Sequence, residues 1–445
     1  MGSGNHCDIS ARAVTALGRI AAACLLTAVV ALGIAGCSVG RTYTVGPETD
    51  LADIVDRLEP GDTLLLEPGT YTQTLELAGL HGTAGHEITI AAAGSDADSD
   101  AGAEGSAGSP AAVTFDGGGL PNGSTMIAID HCSYLRISDL AIAHAHGEDA
   151  CGISVTPGCG HLTLDHNEFY DIRATEAGSA DGAGGAEAAA ETGGAGAGAG
   201  TGESTGGPSA NCILLLGDSA REAISDVEIR ANTFHGCDTG WSECVSVSGH
   251  AARVTVEDNT IDDTGNIGID FSGNYGYCPD PALDRPVDCV ARGNTVRNCR
   301  APYATSYGIY ADGAQDVVIE DNTVTDCSGG IEVGAEQPQA SADYAASRIR
   351  VEGNTIADCD EAALTIGGYA EDLGWVTDVD ITGNTCTNNG RQAEDAIIKL
   401  SKCEGVRITH NAFRNEGGAV DLVRYELGHG LARDVTLADN ICDGV

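Results

Sequence analysis

Positive charge is scarce in this chain: 22 Lys and Arg stand against 66 Asp and Glu, a formal net charge of −44. Only two of those cations are lysines, Lys399 and Lys402. Phosphate backbones and anionic bilayers are held by basic residues, so nucleic acid and direct electrostatic binding to a membrane are excluded as partners. Polyanionic glycans are disfavoured for the same reason unless calcium bridges the charges. Aromatics are scarce too, at 4% with 2 Trp and 5 Phe, and Met occurs twice, so a large aromatic core is not available. The apolar 42% is carried by Ile, Val, Leu and Ala, and Gly reaches 62. That mixture suits short stacked strands better than a bulky globular interior. Long apolar runs are missing as well. The longest, Ile20 to Ile34, has about fifteen residues, too few for an ordinary spanning helix.

Arg12 and Arg19 precede that run, and Ile34-Ala35-Gly36-Cys37 closes it, the layout of an export signal. The closing four residues resemble the lipobox of bacterial lipoproteins. The resemblance implies that 1–37 is a lipoprotein signal peptide and that Cys37 is diacylated and becomes the new N-terminus. The body, 38–445, is then extracytoplasmic and meets the bacterial cell membrane only through its lipid anchor. Such a compartment permits disulfides. Setting aside Cys7, Cys24 and Cys37 leaves fourteen of the 17 cysteines. Cys278 with Cys289, and Cys151 with Cys159, bracket loops and are spaced to close. Cys237, Cys299, Cys327 and Cys359 instead recur five residues after a repeated Asn, which reads as an internal stack. No CxxC pair or His/Cys spacing marks a zinc site.

The repeat is the strongest feature. From residue 160 onward one phrase returns, an alternating apolar stretch followed by Asn and an apolar residue, as in VTVEDNTI, VVIEDNTV and IRVEGNTI. The asparagines stand at 167, 232, 259, 294, 322, 354, 384, 411 and 440. A step in the high twenties to thirties with period-two strands predicts a solenoid. Asn at the same bend of each coil predicts a hydrogen-bonded ladder. The fold class is therefore all-β, a single right-handed parallel β-helix. Asp50 to Leu58 reads as a short amphipathic helix capping the first rung, because an open end exposes strand edges. GDTLLLEPGTY and HEITIAAAG supply the first strands, an opening that resembles those of many β-helix polysaccharide lyases and glycoside hydrolases. Two low-complexity stretches, near 95–110 and 175–209, read as disordered loop insertions.

A second strand recurs in each coil: ECVSVSG, GIDFSG, GIYADG, GIEVGA, ALTIGG, IIKLS, AVDLVR. Its alternation turns one column outward as Ser154, Leu214, Ser246, Asp270, Tyr310, Glu332, Thr365, Lys399 and Asp421. The next outward column includes Ser272, Asp312 and Gly334. Rung spacing puts Asp312 and Glu332 about 8 Å apart at Cα, with Asp270 one rung to the other side. Three acids on one solvated face repel each other and raise at least one pKa. A carboxylic acid beside a carboxylate is what glycoside cleavage uses. Asp312, Glu332 and Asp270 are accordingly the candidate catalytic residues. The segments after these strands are long and hold Tyr275, Tyr277, Tyr344, Tyr369, Trp375 and Tyr425, aromatic handles for sugar faces that would wall a groove. Tyr310, Tyr275, Lys399, Trp375, Glu336, Tyr425 and Asp421 are the candidate substrate-binding residues, and Glu336 is an alternative acid. His429 and Arg424 belong to the last loop.

The run GIYADGAQDVVIEDNTVTDCSGGIEVG resembles the two catalytic rungs of the β-helix glycosidases of glycoside hydrolase family 120, whose members include β-xylosidases. The resemblance covers about 27 residues and implies Asp312 as nucleophile and Glu332 as acid/base. The chain departs from that family in the spacing of the two acids and in having no second sandwich domain. GIDFSGNYGYCPDPALD and GIEVGAE are similar to a broad set of bacterial right-handed β-helix proteins. The leading expectation is thus a glycoside hydrolase with an oligo- or polysaccharide substrate and neither cofactor nor metal. A polysaccharide lyase is the rival, with Lys399 as base and Ca2+ held by Asp270, Asp312 and Glu332. The third expectation is a non-catalytic glycan-binding surface lipoprotein.

Overall fold

The computed structural model describes residues 40–94, 113–175, 207–302, 304, 306–368, 374–391, 396–416, 420–426 and 430–445. The chain divides into Met1–Ser38 and Val39–Val445, and the fold reported below belongs to the second unit. The export signal with Cys37, the 95–110 insertion, 176–206 of the second insertion, Tyr369 and His429 lie outside the described residues.

Period-two alternation makes strands, and the recurring Asn bends make them stack in parallel. Among the described residues three sheets form. One has 13 strands, from Thr42–Val45 to Arg433–Ala438. One has 12, from Gly69–Tyr71 to Ile441–Asp443. The third has 11, from Leu75–Ala78 to Asp421–Tyr425. A single coil shows the path: Tyr307–Asp312 in the 11-stranded wall, Val318–Glu320 in the 13-stranded wall, Thr323–Thr325 in the 12-stranded wall. The chain then returns as Gly329–Ala335 directly beside Tyr307–Asp312, in parallel register. The molecule is a right-handed parallel β-helix.

The Asn ladder occupies the corner between the 13- and 12-stranded walls. Asn294 donates its backbone N–H and its Nδ2 to Asn322 Oδ1, both at 2.9 Å, and Nδ2 also donates to the Val256 carbonyl at 2.8 Å. The amide-to-Oδ1 contact repeats along the series from Asn167 to Asn440. Each ladder Asn follows a residue with φ between 52° and 70°, for example Asp258, Asp321 and Gly353. Asp and Gly tolerate that left-handed bend best, and they fill most of these positions.

Inside the coils, Ile269, Phe271, Ile309, Ala311, Ile331 and Val333 join one continuous core. Cys237 and Cys299 flank Thr264 in register, and Cys327 and Cys359 continue the column, all buried. The expected stack is present with one threonine in it, whose hydroxyl donates to Cys299 Sγ at 3.2 Å. The expected disulfides are not: the fourteen described cysteines are free thiols. Cys159 precedes strand Gly160–Asp165, in a different wall from Cys151, and sits against Cys132, whose backbone N–H donates to its sulfur at 3.3 Å. The N-terminal helix is shorter than its apolar spacing suggests, only Ala52–Val55, although Leu51, Val55 and Leu58 all reach the core. In the last described coil, Tyr425, Leu431, Leu437 and Ile441 are exposed.

Candidate active site

Register brings the acids together on the outer side of the 11-stranded wall. Ser246 pairs with Asp270, Asp270 with Tyr310, Tyr310 with Glu332, and Glu332 with Thr365. In the neighbouring column Ser272 pairs with Asp312 and Asp312 with Gly334. The residues between them face the core, so the alternation is as expected. The surroundings are not. Asp270 is 2% exposed, Asp312 1%, Glu332 1% and Glu336 8%, so the face is covered rather than solvated.

The cover is the segment that leaves strand Ile269–Ser272. Tyr275 donates its hydroxyl to Asp312 Oδ2 at 2.5 Å and lies 3.1 Å from Glu336 Oε2. Its ring stacks on Tyr277, with centroids 5.5 Å apart. The segment is held in place by buried Asp284, which accepts the backbone N–H groups of Gly276 at 2.6 Å and Cys278 at 2.9 Å. Arg285 then lies 4.3 Å over the Tyr344 ring, tying this loop to the one after Glu336. Asp312 also accepts the Glu336 backbone N–H on Oδ1 at 2.9 Å. Tyr310 is buried and crosses to the next rung, where a Cβ on Gly334 would stand 2.5 Å from its hydroxyl; glycine is needed there.

A fifth carboxyl belongs to the group. Glu243, 2% exposed, precedes strand Val245–Gly249 and accepts from Ser242 Oγ at 3.2 Å. Asn211 holds that turn by donating to Ser242 Oγ at 2.9 Å and to the Glu243 carbonyl at 2.8 Å. The outward columns do not contain Glu243 because it stands at a corner, before alternation begins. Its one signal in the sequence is an acid heading an otherwise Ser- and Val-rich strand.

Burial without counter-charge sets the protonation of the cluster. Among the described residues no Lys, Arg or His forms an ion pair with Glu243, Asp270 or Asp312. Desolvation lifts Asp312 to about 6, held back by hydrogen bonds from Tyr275, the Glu336 amide and Tyr310. Desolvation lifts Glu243 to about 7, with the charge of Asp312 adding to it. Asp270 is pushed well above the carboxylate range by burial and then by Glu243, Asp312, Glu336 and Glu332. Near neutrality the site therefore mixes an ionised Asp312 with carboxyls that keep their protons.

The remaining candidates stand apart. Lys399 lies in the predicted column two rungs beyond Glu332, but its ammonium pairs with Glu361 at 3.0 Å. Asp421 is not in that column: Arg424 pairs with Lys399, and Asp421 pairs with Ala396. The last strand is offset by three residues from the expected register, which sets Val423 beside Ile398 and Tyr425 beside Leu400. Tyr425 is 49% exposed on that final strand. Trp375 packs instead under Lys402 and Arg433, at 5.1 and 5.6 Å. Among the described residues no group of three or more His, Cys, Asp or Glu converges closely enough to hold a metal ion.

Comparison with known proteins agrees with the fold. Residues 209–340 and 286–368 match the family described as right handed beta helix region. Uncharacterized protein YwoF of Bacillus subtilis strain 168 is 27% identical over 358 residues, 77% of this chain and 65% of its own length. The chain therefore spans less than two thirds of that relative. Among solved structures, the GH136 lacto-N-biosidase of Eubacterium ramulus superposes with a TM-score of 0.51 at 14% identity, covering 91% of this chain and 68% of that one. The alginate lyase of Paenibacillus sp. strain FPU-7 has a TM-score of 0.48 at 14% identity, covering 88% and 99%. At 14% identity the likeness to the lacto-N-biosidase is one of fold.

Proposed function

We propose that this protein hydrolyses glycosidic bonds in an uncharged oligo- or polysaccharide, with Asp312 as the ionised carboxylate and Glu332 on the next rung as the proton donor. One observation carries this reading: Asp312, oriented by Tyr275 and the Glu336 amide, lies one rung from Glu332 inside a group of buried carboxyls in which burial pushes Asp270 and Glu243 toward their protonated forms. An ionised carboxylate next to a protonated one supplies both halves of glycoside cleavage, attack on the sugar or on water and protonation of the leaving oxygen. The Tyr275–Tyr277 segment lies over the acids, so substrate entry requires it to lift, as lids do in many enzymes.

β-Elimination is less well supported. It needs a base and a positive charge to neutralise the uronate. The nearest lysine, Lys399, is engaged by Glu361, and a uronate would add negative charge to five carboxyls. The test is a panel of neutral aryl glycosides and polyuronates, followed for reducing ends and for unsaturated product. Reducing ends without ultraviolet absorbance, lost in Asp312→Asn and Glu332→Gln, support hydrolysis; unsaturated product that depends on calcium rejects it. We also place the activity outside the cytoplasmic membrane on a lipid anchor at Cys37. Expression in a bacterial host with labelled fatty acid should label the parent and leave Cys37→Ala unlabelled; label in neither rejects the anchor.

A further inference from the structure

We propose that Asp270 is a neutral hydrogen-bond donor kept for an uncharged sugar oxygen, and not a third ionised member of the cleavage machinery. The inference rests on the glycan-cleaving reading of this face and names the chemistry its substrate must present. Asp270 is 98% buried, and among the described residues its Oδ1 is fully enclosed with no hydrogen-bond partner. Four further carboxyls, Glu243, Asp312, Glu332 and Glu336, press on it electrostatically. A carboxylate in this place would have neither a cation nor a donor on its enclosed Oδ1, and burying a charge uncompensated is heavily disfavoured. A carboxylic acid escapes that cost and gains a proton to give.

The proton has a defined use. Asp270 is in register with Tyr310 and then Glu332, one column from Asp312, so a sugar held for attack by Asp312 passes over it. A neutral acid donates to a hydroxyl, a ring oxygen or an amide carbonyl, and gains little from ammonium groups. A uronate carboxylate at this position would meet the unscreened charge of Asp312. The site thus selects neutral sugar rings, and the selection resides in a residue that looks like one more acid of an acidic chain.

Two measurements decide it. Infrared difference spectra of the full chain at pH 7, parent minus Asp270→Asn, should show a carboxylic-acid C=O band that is still present when both carry Glu243→Gln; no such difference band overturns the proposal. On the best neutral glycoside, Asp270→Asn, which keeps a neutral donor, should cost about tenfold in kcat/KM, mostly in KM, against at least about a hundredfold for Asp270→Leu, which removes it. Asp270→Asn as inactive as Asp312→Asn would mean that the negative charge is used, and would overturn the proposal. So would micromolar CaCl2 binding by calorimetry that Asp270→Asn abolishes. If the parent cleaves no glycoside the hydrolase reading fails, yet the infrared band still decides the state of Asp270.

Discussion

Asp312 and Glu243 show how strongly position overrides residue type. Both are ordinary acids in a chain with 66 of them, yet one titrates at about 6 and the other at about 7 because water is excluded and no cation replaces it. Activity should rise with pH through about 6 as Asp312 ionises, and Tyr275→Phe, which removes a donor to that carboxylate, should move this limb upward; a pH profile of kcat/KM checks both. Stability should run the other way. Between the ordinary carboxylate range and about 7 the folded chain keeps protons that the unfolded chain has released, so stability falls as pH rises across that window. Glu243→Gln removes the share of that penalty that Glu243 contributes. Its Tm should exceed the parent's by about 2–5 °C at pH 8 and match it at pH 4, by calorimetry or circular dichroism. The candidates Asp270, Asp312 and Glu332 are legible in period-two alternation, whereas their burial is not. Covering depends on where the Tyr275–Tyr277 segment folds back, and alternation within a strand says nothing about what a loop does above it.

At the level of elements, the Asn ladder and the Tyr275–Arg285 loop do different work. Each interior Asn side chain satisfies a backbone amide and a carbonyl of the preceding rung and donates to the next Asn, so Asn294→Ala should cost about 2–4 kcal/mol, while Asn440→Ala, half-buried in the last described coil, should cost under about 1 kcal/mol. Denaturant unfolding of the two variants measures the difference, and equal losses would show that the ladder is not what stabilises the corners. The loop is a separate module pinned by Asp284 and by Arg285 on Tyr344. Asp284→Ala should loosen it and raise KM with little change in Tm. Repetition makes the ladder readable in the amino-acid order alone. Asp284 occurs once, in a stretch without periodicity, so its backbone contacts leave no trace in the pattern.

For the whole molecule, the excess of negative charge and the solenoid act together. A formal −44 repels polyanions at long range, and the carboxyl cluster repels them at contact, so neutral glycans should be cleaved in preference to polyuronates. A stacked solenoid also frays from its ends, because each coil is stabilised by its neighbours. Hydrogen exchange should be faster across Arg433–Ala438, where Leu437 is exposed, than across Ala346–Glu352 in the middle of the same wall. Similar protection in both would mean that this end is covered in solution.

The coil follows from the order of the amino acids alone. Period-two strands, Asn at the same corner of successive coils and left-handed residues before it are local preferences repeated until they admit one architecture, and they set which acids share a face. The protonation and partners of those acids depend on how distant segments pack. That packing added Glu243 from a corner, moved Asp421 out of the column, paired Lys399 with Glu361 and laid two tyrosines over the carboxyls. Proton affinities depend on the solvent and charges that surround a group in three dimensions, and those come from segments distant in the chain that carry no repeat.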